Sequence, residues 1–354
     1  MSRTDYDVIK QDFANYIRIW NTHDLKEVDR IFHKNVAFKT STSIKMANGN
    51  QDSIYGVYDF INDFPPVDVL HTPIYNYACR MKKDKAYAYG EVVCSAFHLG
   101  DTVEFFEFTV FIITEWTNVD GKWVITTLRH EAVPHRGTLK DHFQKYWHFE
   151  EEDEVGGRIQ TIRGDGDAPW YNIKGEEMED ILTEEEQVKD CIIKNVYGIE
   201  HQAFNLTLES YSIDYQCHRY WPSDGDRVKD RVQQIKASRN LLRYFFSPIK
   251  FRSIEIEGNR AFVSVDRVRG HQQDLGFQTS TDGNVDVRKR VKDSLKDAIE
   301  YQYTKENVNI EHTAARGMYE LVRENGTWKV AYDKLYFGLY EVGPYSDGLY
   351  GDEC

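Results

Sequence analysis

One glutamate lies inside a strongly apolar stretch of the sequence, where it could exchange protons. Glu107 stands in FFEFTVFIITEW, residues 105–116, and its neighbours on both alternating sides are mostly apolar. If this stretch is a β-strand covered on both faces, burial raises the pKa of the carboxyl group, because desolvation disfavours the charged form. Such a group can serve as a general acid or base. The alternative is a structural glutamate that forms an ion pair, for example with Arg129 on the next predicted strand.

A histidine at the start of another predicted strand is also suited to proton transfer. His71 lies in DVLHTPIYNY, and an imidazole changes its charge near neutral pH. A histidine that bonds to a local carbonyl group at a strand end explains the same pattern equally well. His98 and Glu91 lie on one strand at odd spacing, so they point to opposite faces and at most one of them faces the interior.

The motifs that would hold a metal ion are incomplete in this sequence. HEAVPH, residues 130–135, is not the zinc motif HExxH, because its second histidine comes five residues after the first and Pro134 interrupts the segment. The five cysteines are scattered and show no CxxC spacing, which favours reduced thiols. We therefore expect no metal ion and no other cofactor.

Composition and charge exclude several classes of partner. The chain has 354 residues, of which 41% are hydrophobic, so it can form two globular domains. Its formal net charge of -14 argues against binding to nucleic acid or to an anionic membrane surface. The start MSRTDYDVIK lacks the apolar core of a signal peptide, and the apolar run at 105–116 is too short to span a bilayer. These features predict a cytoplasmic protein.

Hydrophobic periodicity predicts three helices and then four strands in the first part of the chain. Apolar residues recur every three or four positions over 5–20, and Asp24 caps a second, shorter helix. A third helix over 52–64 is stopped by two consecutive prolines. The strands that follow are separated by turn residues. They lie at roughly 70–80, 85–98, 102–117 and 122–131.

The same order of elements recurs after residue 180. KDKAYAYGEV resembles EGNRAFVSVD, with Ala86 matching Ala261, and TNVDGKWVI resembles VRENGTWKV, with Trp123 matching Trp328. The second pair of matched residues is more widely separated than the first, so the second copy carries an insertion, which we place at 274–306. The strands of this copy are predicted near 249–257, 260–269, 307–323 and 327–337.

This order of elements resembles the SnoaL-like branch of the nuclear transport factor 2-like superfamily, which has a cystatin-like cone fold. The resemblance rests on YIRIWNTHDLKEVDRIFHKNVAF, GVYDFINDF and DGKWVITTLRHE, and it covers 5–131 well and 184–340 more loosely. It implies an α+β protein with two copies of a cone-shaped fold, each with three N-terminal helices packed on a strongly bent antiparallel sheet. The predicted regions are a first domain at 1–140, an acidic connector at 141–182, a second domain at 183–345 and a tail at 346–354.

The resemblance also implies a function. Proteins of this superfamily hold small hydrophobic molecules in an apolar cone, and its enzymes include lyases and isomerases of the dehydratase, cyclase and ketosteroid isomerase types, which use acid–base chemistry without a cofactor. On this reading His71 is the general acid or base, Tyr16 a hydrogen-bond donor and Glu107 a second proton carrier. The sequence departs from the dehydratase pattern at Trp20-Asn21, where the family has Tyr-Asp, and at Thr40, where it has Tyr.

Further residues are expected to line the two cones. In the first cone they are Trp20, Phe38, Phe60, Thr109, Arg129 and His98. In the second copy His312 and Arg316 are the candidates, and the first copy is favoured as the ligand-binding one. The expected partner is a small hydrophobic molecule, and the two copies are expected to pack sheet against sheet as an internal pseudo-dimer, with a further homo-oligomer as an option. The alternative is a non-catalytic module that binds a ligand or a protein and whose cone is filled by side chains.

Overall fold

The computed structural model divides the chain into two compact units, Met1–Ser210 and Tyr211–Cys354. The predicted insertion at 274–306 and the predicted tail at 346–354 lie outside the residues that it describes. Those residues are 2–42, 51–149, 161–173, 178, 181–217, 228–229, 232–233, 235, 242–273 and 310–337. Within this part of the chain, no helix combines the length and the apolar character needed to cross a membrane.

The first unit begins with the three helices that the periodicity predicts: α1 (Arg3–Thr22), α2 (Leu25–Ile31) and α3 (Ile54–Asn62). Each begins at a polar residue whose side chain accepts a hydrogen bond from a backbone amide of the first turn, namely Ser2, Asp24 and Ser53. The helix α1 ends where His23 adopts a left-handed conformation. Its apolar face is completely or almost completely buried at Ile9, Phe13, Tyr16, Ile17 and Trp20.

A seven-stranded sheet follows these helices in the order β2-β1-β7-β6-β5-β3, with β4 also paired to β5. The β1–β7 pair is parallel and the other pairs are antiparallel. The strands are β1 (Phe32–Thr40), β2 (Gln51–Asp52), β3 (Val69–His71), β4 (Ile74–Lys82), β5 (Lys85–Leu99), β6 (Val103–Val119) and β7 (Lys122–Gly137). The β6–β7 register shifts at two points, after Glu107 and after Glu115, and such irregularities bend and twist the strand that carries them.

The sheet of the first unit is covered on both faces. The inner face packs with α1, α2 and α3 in one hydrophobic core and contributes Ala88, Val92, Cys94, Phe106, Phe108, Val110 and Ile112. On the outer face Tyr89 and Phe111 contact later parts of the chain: the Tyr89 ring lies 4.9 Å from Tyr197, and the Phe111 ring lies 4.7 Å from His201. The apolar residues on both faces of β6 are therefore covered, the inner ones by the helices and the outer ones by later parts of the chain.

Short turns and helices follow the sheet. Two 3-10 turns, Leu139–His142 and Lys145–Trp147, return to the inner face. A third 3-10 turn (Asp165–Asp167) and a short helix, α4 (Pro169–Asn172), precede α5 (Glu184–Glu200) and α6 (Phe204–Ser210). The sequence assigns α5 and α6 to the second copy, but they group with the first unit, because α5 packs on the outer face of its sheet.

The second unit contains a six-stranded sheet with the same strand order. Its order is β10-β11-β12-β13-β8, with β9 paired to β11, and the β8–β13 pair is parallel like β1–β7. The strands are β8 (Tyr211–Cys217), β9 (Leu242–Phe246), β10 (Ile249–Glu257), β11 (Arg260–Gln273), β12 (Ile310–Glu324) and β13 (Thr327–Phe337). Each strand from β8 to β13 thus has a counterpart in the first sheet.

Backbone conformation agrees with the sequence alignment of the two copies at their turns. Alignment of Ala86 with Ala261 brings Lys83 into register with Gly258. Both of these residues have a positive φ. Asp120 and Asn325, which the second pair of matched segments aligns, also share this conformation. A further pair lies just after the first helix of each copy, where His23 and Gln202 are left-handed. The two copies therefore reverse direction at equivalent points.

Candidate functional site

A buried tyrosine–histidine pair lies between α1 and β7 in the first unit. The hydroxyl group of Tyr16 is 2.9 Å from Nε2 of His130, and neither side chain has measurable solvent exposure. Tyr16 is on the apolar face of α1 between Phe13 and Trp20, and His130 lies on the inner face of β7 next to Leu128. This pair joins the helical layer to the sheet by a polar contact inside an apolar core.

Aromatic rings surround the imidazole ring on several sides. The ring centroid of His130 lies 5.1 Å from that of Phe60 and 5.8 Å from that of Phe38, both in edge-to-face geometry. The indole ring of Trp20 lies at 5.7 Å and that of Trp147 at 6.3 Å. The histidine therefore sits in a shell of aromatic side chains that excludes water.

Burial determines the protonation states of the pair. Desolvation lowers the pKa of His130 to about 3, so the ring is neutral at physiological pH. Desolvation also raises the pKa of Tyr16 well above its usual value, so its hydroxyl group keeps its proton. When the Tyr16 hydroxyl group donates the hydrogen bond to Nε2, the neutral imidazole carries its own proton on Nδ1. Among the described residues, Nδ1 of His130 has no hydrogen-bond partner.

Four of the residues predicted from the sequence meet at this site. Tyr16 forms the hydrogen bond, and Trp20, Phe38 and Phe60 belong to the aromatic shell. His130 occurs in the sequence within HEAVPH, and that pattern does not predict it as a site residue. Trp147 was also missed, because it lies in a segment that sequence patterns assign to the connector.

A register shift in β7 places His130, and not the predicted Arg129, on the inner face of the sheet. At the start of the strand, Trp123 and Ile125 face the core, so simple alternation would also point Arg129 inward. The pairing with β6 shifts by one residue after Ile125, and from Leu128 onward the even-numbered residues face inward. Arg129 instead lies on the outer face, where it forms an ion pair with Asp167.

The structure places the two other predicted proton carriers away from this site. His71 is exposed on β3 opposite Ser95, so the expectation that it faces the cone interior is corrected. Glu107 is half-buried, and its neighbours Phe106 and Phe108 both face the core, so its side chain lies on the outer face. The predicted alternative was an ion pair between Glu107 and Arg129. In the described structure the carboxylate partners of Arg129 are Asp167 and Glu115.

The remaining predicted residues of the first cone are also outside it. Thr109 is completely buried, but on the outer face of β6, like Glu107 two residues before it. His98 is exposed and lies 3.0 Å from the carboxylate of Asp68. Alternation assigns the residues of a strand to two faces. Because both faces of this sheet are covered, apolar character alone does not show which face belongs to the cone.

The second copy has different residues at the equivalent positions. When the left-handed residues after the two first helices are aligned, Asn195 takes the position of Tyr16. When the last strands are aligned by their tryptophans, Leu335 takes that of His130. The amide of Asn195 donates a hydrogen bond of 2.8 Å to Ser210. Only the first copy therefore has a tyrosine and a histidine at these positions.

The two residues predicted for the second cone do not form a comparable pair in the described structure. Arg316 is exposed and lies 3.5 Å from Asp266. The backbone of His312 pairs with Gly270, and its side chain is outside the described part. The expectation that these two residues line a second cone therefore gains no support from the position of Arg316.

Within the described residues, no group of three or more histidine, cysteine, aspartate or glutamate side chains is arranged to hold a metal ion. The chemical capability of the Tyr16–His130 pair is a hydrogen bond donated or accepted at Nδ1 of the neutral imidazole.

Comparison with known proteins gives similarity to solved structures, whereas no family model and no curated protein matches the chain. A ketosteroid isomerase-like protein from Erwinia carotovora is 10% identical over 44% of this chain and 98% of its own, with a TM-score of 0.31. Hexachlorocyclohexane dehydrochlorinase from Novosphingobium barchaimii is 14% identical over 38% of this chain and 89% of its own, with a TM-score of 0.32. A nuclear transport factor 2-like protein from Cytophaga hutchinsonii is 13% identical over 36% and 98%, with a TM-score of 0.26.

Each of these similarities covers less than half of this chain. The chain itself has the α+β architecture that the sequence predicts, with helices packed on the inner face of a bent sheet in the first unit.

Proposed function

We propose that the first unit binds a small, largely apolar molecule against the inner face of its sheet, with the Tyr16–His130 pair as the polar contact. The observation that supports this proposal is a hydrogen-bonded pair with no solvent exposure, whose Nδ1 has no partner in the described structure. A polar group buried without a partner costs free energy that an apolar side chain would not. A ligand atom that bonds to Nδ1 removes this cost.

The geometry favours a ligand with an apolar body and a carbonyl or hydroxyl oxygen. A neutral His130 with its proton on Nδ1 donates to such an oxygen, and the aromatic rings of Phe38 and Phe60 contact the rest of the molecule. An anionic ligand is less suited, because the surrounding rings offer no cation to balance its charge.

The same pair supports cofactor-independent acid–base chemistry of the lyase or isomerase type as the more specific function. Neutral His130 acts by donating its Nδ1 hydrogen bond to a ligand oxygen on which negative charge develops. The proton stays within the pair, because a completed transfer from Tyr16 would leave a tyrosinate that burial disfavours. Protonation of the ring is excluded from the proposal, because burial lowers the pKa of His130 to about 3.

The experiment is mass spectrometry of the small molecules extracted from the purified full-length protein. We expect a bound apolar molecule in the wild type and in His71→Ala, which changes an exposed histidine, and at least a tenfold reduction in His130→Phe, because the ligand oxygen loses its donor. Equal recovery from all three proteins would contradict the assignment of the site to His130.

A second candidate is a non-catalytic module whose cone is filled by its own side chains. The observation in its favour is the close packing of the rings: Phe60 and Trp147 are stacked with centroids 4.2 Å apart, and neither has measurable exposure. This function predicts that the double variant Tyr16→Phe/His130→Phe folds with equal or greater stability and loses no bound molecule, because apolar residues fill the same space.

A further inference from the structure

The segment after β7 places a tryptophan where a ligand of the first unit would lie. Trp147 comes from a 3-10 turn, has no measurable exposure and is in contact with the shell of His130. Its indole ring stacks on Phe60 at 4.2 Å and meets Trp20 edge-on at 5.2 Å. We name residues 144–148, which carry this ring, the Trp147 latch.

The latch is held by a few polar contacts at its own backbone. The hydroxyl group of Thr42 donates to the carbonyl oxygen of Tyr146 at 2.5 Å, and the amide of Tyr146 donates to the carboxylate of Asp63 at 2.7 Å. The indole N–H of Trp147 donates to the carbonyl oxygen of Phe60 at 2.8 Å. These bonds involve side chains and the end of α3, and none of them belongs to the ladder of the sheet.

The latch lies between two anchored aromatic residues and contains one residue with a left-handed backbone. Phe143 and Phe149, on either side of it, pack on β6: their ring centroids lie 5.0 and 4.9 Å from that of Phe106. Lys145 adopts a left-handed conformation, which is unfavourable for a residue with a Cβ atom. The segment is therefore anchored at both ends and strained between them.

We infer that Trp147 is an internal occupant of the ligand position and that the latch must open before any molecule reaches His130. This inference rests on the proposed function of the site. The contacts of Trp147 also define the chemistry of the molecule that replaces it: a flat aromatic ring of about the size of indole that stacks on Phe60 and presents an N–H or O–H donor to the Phe60 carbonyl.

The test measures the access of a small reagent to His130 in the full chain. Diethyl pyrocarbonate acylates neutral imidazole nitrogen, and peptide mass spectrometry gives the rate at His130 relative to that at the exposed His71. The variant Thr42→Val removes the bond to the Tyr146 carbonyl. We expect it to accelerate the relative reaction of His130 about fivefold, because one net hydrogen bond no longer holds the latch closed.

The matched control is Thr126→Val, which removes a comparable bond of 3.2 Å from a threonine hydroxyl group to the carbonyl oxygen of Glu115 within the sheet. We expect its His130 rate to stay within about twofold of the wild type, since the latch is untouched. Equal acceleration in both variants would show that general loosening, and not the latch, exposes His130. A wild-type rate equal to that of His71 would show that the site is already open. Either result overturns the inference.

A second variant keeps the inference testable if Thr42→Val reduces stability as a whole. Trp147→Gly removes the occupant, and we expect free indole to slow the acylation of His130 in this variant at least fivefold and to leave the wild-type rate unchanged. Absence of protection by indole overturns the assigned occupant. Acylation reports access and not ligand binding, so a failure of the proposed function, seen as no bound molecule by extraction, remains distinguishable from a failure of the latch.

Discussion

A neutral histidine in a water-free interior couples the stability of the first unit to pH. The imidazole of His130 has an ordinary pKa of 6.5 in the unfolded chain and about 3 in the folded one, because burial disfavours its charged form. Above pH 6.5 neither state binds the proton, and His130 contributes no pH dependence. Between pH 6.5 and about 3 only the unfolded state binds it, so the free energy of unfolding decreases as the pH falls.

The first prediction concerns this pH dependence. Between pH 7 and pH 5 the wild type should lose about 2 kcal/mol of unfolding free energy through His130, a loss that His130→Phe should lack. Urea denaturation at the two pH values, followed by the fluorescence of the core tryptophans, measures it. Subtraction of the two proteins removes the contribution of every other titrating group, and an identical loss in both would show that His130 is not buried in its neutral form.

The second prediction concerns the hydrogen bond of the pair. Tyr16→Phe leaves Nε2 of His130 without its partner in the interior and should reduce the unfolding free energy by about 1–2 kcal/mol. In the His130→Phe background the same change should cost much less, because no imidazole remains to be satisfied. A double-mutant cycle by chemical denaturation at pH 7 gives the coupling energy, and additive effects would contradict the bond.

At the scale of single elements, the sequence predicts the helices well and the faces of the strands only in part. The periodicity of α1 is sufficient because its solvent side is polar, and Tyr16 and Trp20 follow from it. For β7 the alternation is interrupted by the shift after Ile125, so Arg129 and His130 exchange faces relative to the regular pattern. The apolar pattern of β7 carries one trace of this shift, because Trp123 and Ile125 are odd-numbered whereas Leu128 is even-numbered, but the position of the bulge depends on the pairing with β6.

The third prediction concerns the close approach of α1 to β5. A Cβ atom at Gly90 would lie 2.8 Å from two ring carbons of Phe13, so this glycine lets the helix pack directly on the strand. Gly90→Val should reduce the unfolding free energy by about 1–3 kcal/mol through overpacking. Gly166→Ala is the control, because nothing lies within 4 Å of its added Cβ atom. Thermal unfolding of both variants tests this, and a stable Gly90→Val would show that α1 can shift.

At the scale of the whole molecule, the boundary between the units does not coincide with the boundary between the sequence copies. The helix α5 opens the second copy, yet it covers the outer face of the first sheet, where Tyr89 donates a hydrogen bond of 3.1 Å to Glu200. Arg80 of the same sheet lies 3.3 Å from Asp190 on α5. This helix occupies part of the face assigned to sheet-against-sheet packing, and the internal pseudo-dimer stays a prediction.

The fourth prediction follows from this sharing of α5. A fragment of residues 1–182 contains the predicted first domain and connector but lacks α5, so Tyr89 and Phe111 lose their cover. Compared with residues 1–210, it should melt about 10 °C lower or more and self-associate through the exposed apolar face. Calorimetry and analytical ultracentrifugation of both fragments measure this. Equal melting temperatures would show that α5 contributes nothing to the first unit.

The matching left-handed residues have a practical meaning for protein engineering. The turn residues Lys83 and Gly258 both have a positive φ, and so do Asp120 and Asn325. The side chains that differ between the copies, such as the tyrosine of α1 and the asparagine of α5, lie far along the chain from these reversals. We therefore expect that the segment between the two turns of one copy can replace the equivalent segment of the other, with the chain joined at these turn residues. The shared left-handed backbone is a property of the fold and does not depend on a bound molecule.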